Sequence, residues 1–167
     1  IETRHDAETV SPPKGALAYA TQTTLSVSDT VDIVAALKAR FPDIAEPHKD
    51  DICYATTNRQ KAVKDIAIDV DLMLVIGASN SSNSQRLVEV AKQAGAADAM
   101  LIADKDAISW ERADKADHIG LSAGASAPES LVQDVIQALS NRYDLTVTEH
   151  GYIRETVNFK LPSILTQ

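Results

Sequence analysis

The sequence contains a single cysteine, few aromatic residues and fewer basic than acidic side chains. One cysteine excludes an internal disulfide and suits a reducing compartment. Aromatic residues make up 4% of the chain and hydrophobic residues 44%, so we expect a core built mainly from alanine, valine, isoleucine and leucine. The net charge of −8 argues against binding to nucleic acid or to membrane surfaces.

Several longer patterns are also missing. No apolar run approaches the roughly 20 residues that span a bilayer, and no signal peptide is visible. We therefore expect a soluble, cytoplasmic protein without a membrane partner. Neither Gly-x-x-x-x-Gly-Lys-Ser/Thr nor Gly-x-Gly-x-x-Gly occurs, which excludes a standard nucleotide loop. The 167 residues allow one domain, or one and a half.

Short apolar runs alternate with amphipathic helix patterns along most of the chain. This alternation predicts an α/β fold of Rossmann-like, three-layer domains with small parallel sheets and helices on both faces. The predicted strands are 16–20, 72–77, 99–103 and 118–121. The predicted helices are one that buries Ile33, Val34, Leu37 and Phe41, one that begins near Thr57, 83–94, a short helix around Trp110, and 127–140.

Capping residues mark the predicted helix ends. Ser or Thr followed three residues later by Glu or Gln is the capping-box spacing. This spacing predicts N-caps at Thr57, Ser82 and Ser126, and Ser28 or Asp29 can cap the helix before them. Gly95 and Asn141 suit the C-terminal ends of two helices.

The composition predicts three parts. Residues 1–49 form part of one α/β domain, 50–142 form a fuller α/β domain, and 143–167 form a C-terminal hairpin or strap. Within the first part, residues 2–14 are polar and include the breaker Pro12-Pro13, so we interpret them as a polar lead-in.

Polar loops without charged residues follow three of the apolar runs. They contain Thr21-Gln22-Thr23-Thr24, then 78–84, then 122–128, and they are rich in hydroxyl and amide groups. A strand that leads into such a loop and a helix N-terminus is a favourable anion site, because free N–H groups and the helix dipole attract negative charge. Two readings stay open, since these residues can bind phosphate or serve only as helix caps.

Cys53 lies just ahead of a predicted helix start. Unpaired N–H groups at such a position favour the thiolate, which is the form that binds metal or attacks an electrophile. The alternative is that Cys53 is a small buried hydrophobic residue, as many lone cysteines are.

Four segments stand in the order expected of one enzyme family. They are ATQTTLSV at 20–27, DDICYATTNRQ at 50–60, NSSNS at 80–84 and AGASAPE at 123–129. Together they resemble the LytB-type iron–sulfur reductases of 4-hydroxy-3-methylbut-2-enyl diphosphate, and the resemblance runs from about Ala18 to Leu139.

The resemblance implies a reductive dehydroxylation that ends the non-mevalonate isoprenoid pathway. The substrate loses its hydroxyl as water, using two electrons and two protons, and gives isopentenyl and dimethylallyl diphosphates. It implies a 4Fe–4S cluster held by thiolates on three irons, with the fourth iron open, at a centre where the family's domains meet. It also implies an isoprenoid diphosphate substrate and a ferredoxin- or flavodoxin-type electron donor.

Residue by residue, the resemblance assigns Cys53 as a cluster ligand and Thr23 as a substrate-binding, catalytic residue near the reacting hydroxyl. Because a threonine hydroxyl is a poor acid by itself, Thr23 is better interpreted as a proton relay. The resemblance assigns Ser81, Ser82 and Asn83, with Ser126, to the diphosphate.

The sequence departs from the family pattern in three ways. It has one cysteine where the family needs three, and it lacks the family's glutamate motif and its diphosphate-binding histidines. We therefore expect this chain to be the C-terminal portion of the enzyme, inactive without the N-terminal half. The alternative is a non-catalytic α/β module that binds phosphate or diphosphate.

Overall fold

The computed structural model describes residues 1–47 and 52–150. The helices and strands follow the alternation predicted from the sequence over most of this range. They are α1 (Arg4–Thr9), α2 (Val27–Arg40), α3 (Tyr54–Ala67), β1 (Leu72–Ile76), α4 (Ser82–Ala94), β2 (Asp98–Ile102), a 3₁₀ turn (Lys105–Ala107), α5 (Trp110–Ala113), β3 (Ile119–Ala123) and α6 (Glu129–Ser140).

Three parallel strands form the sheet, in the order β2-β1-β3. In the register, Leu72 of β1 lies opposite Asp98 of β2 and Ile119 of β3. Every residue of β1 is buried, as expected for a central strand covered on both faces. The predicted α/β class with a small parallel sheet is confirmed.

Helices cover the two faces of the sheet because successive strand residues point in opposite directions. Met73 and Val75 of β1 pack with one buried cluster that includes residues of α3 and α4. Leu72, Leu74 and Ile76 pack on the other face with a second cluster that includes residues of α6. This arrangement gives the three layers that the sequence predicted.

The N-terminal helices pack against each other around Ala7, Ala36 and Leu37. Arg40 at the end of α2 fastens α1, since its guanidinium donates to the carbonyls of Ala7 at 2.5 Å and Val10 at 2.9 Å. The polar lead-in expected over 2–14 contains a helix that the sequence did not predict, since α1 forms there. A reciprocal capping box between Thr3 and Asp6 starts this helix.

The strand predicted over 16–20 is reduced to a single parallel bridge between Ala18 and Ala45. Two hydrogen bonds form it, from Tyr19 N–H to Ala45 C=O at 3.2 Å and from Ala45 N–H to Leu17 C=O at 2.9 Å. The C-terminal hairpin predicted over 143–167 falls largely outside the described residues, and 144–150 contain neither helix nor strand.

All four predicted N-caps are wrong in position. The observed caps are Ser26 for α2, Cys53 for α3, Ser81 for α4 and Pro128 for α6. Each true start lies in a segment with several residues suited to capping, so packing of the helix body selects among them. The predicted C-terminal ends are confirmed, because Gly95 ends α4 in the left-handed region at φ 117° and Asn141 ends α6.

An ion pair joins the segment after α5 to the end of α6. Arg142 donates to the Asp114 carboxylate from Nε at 2.8 Å and from Nη2 at 2.6 Å, and the Tyr143 hydroxyl donates to it at 2.5 Å. The Arg142 guanidinium also lies 5.1 Å from the centre of the Trp110 ring. These contacts fix the C-terminal end of α6 against α5.

The contacts of Asp114 lead to a pH prediction. Hydrogen bonds from Arg142 and then Tyr143 lower the pKa of Asp114 from 3.8 to about 2. Since the folded-state pKa is depressed, the contribution of this carboxylate to stability is complete above about pH 4 and is lost as the pH falls toward 2.

We expect Arg142→Ala to return the pKa of Asp114 toward 3.8, measured by NMR titration of the side-chain carboxyl. Asp71 is the matched control, because backbone N–H groups of His118 and Asp117 lower its pKa without Arg142. A common shift of both carboxylates in the variant would contradict the prediction.

No helix in the described part of the chain combines the length and the apolar character needed to cross a bilayer.

Candidate functional site

Two loops leave the same edge of the sheet. The β1–α4 loop, residues 77–81, follows β1, and the β3–α6 loop, residues 124–128, follows β3. Their starts are joined, because Gly124 N–H donates to the carbonyl of Ile76 at 2.8 Å. After β1 the chain goes to α4 on one face, and after β3 it goes to α6 on the other. Such a crevice at the carboxyl ends of parallel strands is where α/β proteins bind ligands.

In the β1–α4 loop, Ser81 caps α4. Its Oγ accepts from the backbone N–H of Ser84 at 3.3 Å and from the Ser84 hydroxyl at 3.0 Å. Ser82 is exposed in the first turn, whereas Asn83 is buried. Both amide atoms of Asn83 lack a hydrogen-bond partner among the described residues. Buried amides rarely lack a hydrogen-bond partner, so the Asn83 side chain is a candidate contact for a ligand.

Ser84 fills a space between the two loops. A Cβ atom added to either Gly77 or Gly124 would collide with the Ser84 hydroxyl. The two glycines therefore let the N-terminal turn of α4 approach the ends of β1 and β3. Neither glycine has a positive φ, so space and not backbone conformation requires them.

The β3–α6 loop places Ser126 ahead of α6, where it is exposed. Ser126 does not cap the helix, because Pro128 occupies the N-cap position without a side-chain hydrogen bond. A turn from Ala127 N–H to Gly124 C=O at 3.0 Å shapes the loop. The Ser126 hydroxyl therefore lies at the same edge of the sheet as the β1–α4 loop.

Cys53 is an exposed, free thiol at the N-cap of α3. Its backbone N–H donates to the carbonyl of Thr23 at 3.2 Å, and its own carbonyl accepts from Thr57 N–H at 3.0 Å. The structure therefore brings together Cys53 and Thr23, which lie thirty positions apart in the sequence. The interpretation of Cys53 as a buried hydrophobic residue is wrong.

Gln60 is a residue of this region whose role the sequence did not predict correctly. It does not belong to a capping box with Thr57. Its side chain is 2% exposed, and it crosses to the segment before α2. There Nε2 donates to Leu25 C=O at 2.8 Å, and Oε1 accepts from Val27 N–H at 3.1 Å. Gln60 therefore holds the chain after Thr23 against α3.

Arg59 connects α3 to the start of the β3–α6 loop. Its Nε donates to the carbonyl of Ala123, the last residue of β3, at 3.1 Å. The structure thus links Thr23, Cys53 and the β3–α6 loop through α3. No sequence signal pairs these positions, because contacts across such separations depend on the tertiary fold.

A cleft of about 1010 Å³ opens beside Cys53, between α2 and the start of α3. Its lining is mostly apolar and includes Val27, Val34, Ile52 and Tyr54. Cys53 and Thr57 also line it, but Ser81 and Ser126 do not. The cleft is therefore separate from the β1–α4 and β3–α6 loops.

One thiol is too few to hold an iron–sulfur cluster, which uses several thiolates. Within residues 1–47 and 52–150, no group of three His, Cys, Asp or Glu side chains could hold a metal ion. Exposure at a helix start suits Cys53 as one ligand to such a group. The described residues fit a cluster as a partial ligand set only.

The fold and these contacts define an α/β protein with two neutral, hydroxyl-rich loops at one sheet edge and an exposed thiol at the start of α3. The family model described as LytB protein matches residues 1–140. The chain belongs to the LytB family.

Among curated relatives, the 4-hydroxy-3-methylbut-2-enyl diphosphate reductase of Hyphomonas neptunium is 60% identical over 99% of this chain and 53% of its own length. The reductase of Paracoccus denitrificans is 54% identical over 100% of this chain and 53% of its own length. The solved reductase from Plasmodium falciparum is 34% identical and superposes with a TM-score of 0.90, over 99% of this chain and 53% of that one. The chain spans about half the length of these relatives.

Proposed function

We propose that this chain provides the substrate-diphosphate loops and one cluster ligand of a 4-hydroxy-3-methylbut-2-enyl diphosphate reductase. The reaction replaces the substrate's C–OH bond with C–H, consumes two electrons and two protons, and releases water. Its products are isopentenyl and dimethylallyl diphosphate. The observation that carries this proposal is the backbone hydrogen bond between Cys53 and Thr23, on the helix whose Arg59 reaches the end of β3.

The diphosphate is assigned to the two loops. Ser81, Ser82 and Asn83 surround the N-terminus of α4, and Ser126 precedes α6. Neutral donors and two helix N-termini can bind an anion in a chain whose net charge is −8. The unpaired Nδ2 of buried Asn83 is a donor that a phosphate oxygen would satisfy.

The reacting end is assigned to Thr23 and Cys53. Cys53 would be one thiolate ligand of a 4Fe–4S cluster, which when bound supplies electrons and a Lewis-acidic iron. The exposed Thr23 orients the substrate hydroxyl and relays a proton to it. The proposal places the protein in the cytoplasm, with a ferredoxin- or flavodoxin-type electron donor and an N-terminal half that supplies the other cysteines.

Anaerobic iron and sulfide analysis tests this proposal. The samples are this chain and a full-length chimaera that joins the first half of the Hyphomonas neptunium reductase to it. We expect about four irons per chimaera, none in this chain by itself, and loss of most of the iron in the Cys53→Ser chimaera. Tyr54→Phe, at the adjacent residue, is the matched control and should keep its iron.

Unchanged iron in the Cys53→Ser chimaera would refute the ligand assignment. A second function, a non-catalytic diphosphate-binding module, is favoured by the single thiol among the ligating groups. Binding of inorganic diphosphate by a chimaera that takes up no iron would support this second function over the first.

A further inference from the structure

The hydroxyl oxygen of Ser81 makes two hydrogen-bond contacts, and both are with Ser84. A serine hydroxyl has one proton to donate and two lone pairs that accept. Both acceptor positions of Ser81 Oγ are used, by the N–H of Ser84 at 3.3 Å and by its O–H at 3.0 Å. The proton of Ser81 is therefore free to be donated away from Ser84.

The burial of Ser84 favours the arrangement in which its own hydroxyl is the donor and Ser81 Oγ is the acceptor. The side chain is 1% exposed and is confined between Gly77 and Gly124, where even a methyl group would collide with it. A buried hydroxyl needs an acceptor, and the hydrogen bond that Ser84 O–H makes goes to Ser81 Oγ. If Ser81 donated to Ser84 instead, the Ser84 proton would lose this acceptor.

A second observation places a ligand at this position. Asn83 is 9% exposed, and both its amide nitrogen and its amide oxygen lack a partner among the described residues. Asn83 lies between Ser82 and Ser84 in the first turn of α4. The unpaired Nδ2 of Asn83 and the hydroxyl of Ser81 lie at the same helix start, and both can donate to one anionic group.

We propose that Ser84 is a positioning residue for anion binding. It does not touch the ligand, and it acts by occupying the acceptor positions of Ser81 so that the Ser81 O–H donates to the bound diphosphate. This inference rests on the proposed assignment of the β1–α4 loop to the diphosphate. It adds a residue that the sequence did not single out for a role.

Binding of inorganic diphosphate to this chain, followed by ¹⁵N NMR titration, tests the inference in a double-mutant cycle. The variants are Ser84→Ala, Ser81→Ala and the double substitution. We expect Ser84→Ala to weaken binding about tenfold, equivalent to about 1.4 kcal/mol. In the Ser81→Ala background, Ser84→Ala should have no further effect, because the hydroxyl that it orients is gone.

Ser140→Ala is the matched control, because Ser140 lies at the opposite end of α6 from the loop and donates to Ile136 C=O. It should bind as the wild type does. A merely structural role for Ser84 would loosen the whole turn, including Asn83, and would weaken binding in the Ser81→Ala background as well. That result, or unchanged binding by Ser84→Ala, overturns the inference while the proposed function stands. Absence of diphosphate-dependent shifts at residues 81–84 in the wild-type chain overturns both.

Discussion

Gly77→Ala is expected to destabilise the chain by about 3 kcal/mol, at the upper end of the typical cost of overpacking a buried site. The new Cβ would lie 2.5 Å from Ser84 Cβ and closer still to Ser84 Oγ. A Cβ atom cannot rotate away, so α4 itself has to shift. Chemical denaturation should show a lower midpoint with an unchanged slope.

Gly124→Ala provides the comparison that makes this prediction specific. Its Cβ would also collide with Ser84 Oγ, but Ser84 Cβ is 3.5 Å away, an ordinary contact. Ser84→Ala should therefore recover most of the loss in the Gly124→Ala chain and little of it in the Gly77→Ala chain. Equal recovery in both chains would show that α4 does not approach β1 as closely as the structure indicates.

Gln60→Ala is expected to cost about 2–4 kcal/mol, because it removes two hydrogen bonds and leaves a cavity in a buried position. The carbonyl of Leu25 and the N–H of Val27 lose their partner. Denaturation measures the cost, and hydrogen exchange should show faster exchange of the Val27 amide.

Gln137→Ala is the control for this change, because Gln137 makes an exposed hydrogen bond to Asn141. It should alter stability by no more than about 0.5 kcal/mol. If both substitutions cost the same, the contact of Gln60 with residues 25–27 is not a stabilising one.

The parallel sheet could be predicted because its strands carry strong local signals. The run Leu72–Ile76 is fully apolar and is buried on both faces, and α6 presents Leu131, Val135 and Leu139 at helical spacing. The spacing of the apolar residues and the length of each run are enough to identify these elements from the local sequence. The predicted division into 1–49, 50–142 and 143–167 stays a prediction.

Local signals failed where several residues could serve equally well or where an element was short. Ser28, Thr57, Ser82 and Ser126 are all chemically able to cap a helix, yet the observed N-caps are Ser26, Cys53, Ser81 and Pro128, because tertiary context overrides local propensity. Helix α1 has only six residues, too few for an apolar period to appear. Composition therefore does not show which of several capping residues is used, or that a helix as short as α1 forms.

The candidate site residues came from the resemblance, and their roles stay predictions. The contacts among them could not come from sequence. Thr23 contacts Cys53 through a backbone hydrogen bond. Such a bond does not depend on the side chains, so the residue types do not predict it. Gln60 and Ser84 are ordinary polar residues whose importance depends on burial, and burial appears only once the helices have packed.

Helix α3 fixes the distance between two segments of the chain. Cys53 at its start contacts the Thr23 segment, and Arg59 contacts the end of β3, from which the Ser126 loop begins. About 9 Å of rigid helix separates these two residues. Because a helix resists stretching, any shift of α3 would move the Thr23 segment and the start of the β3–α6 loop together.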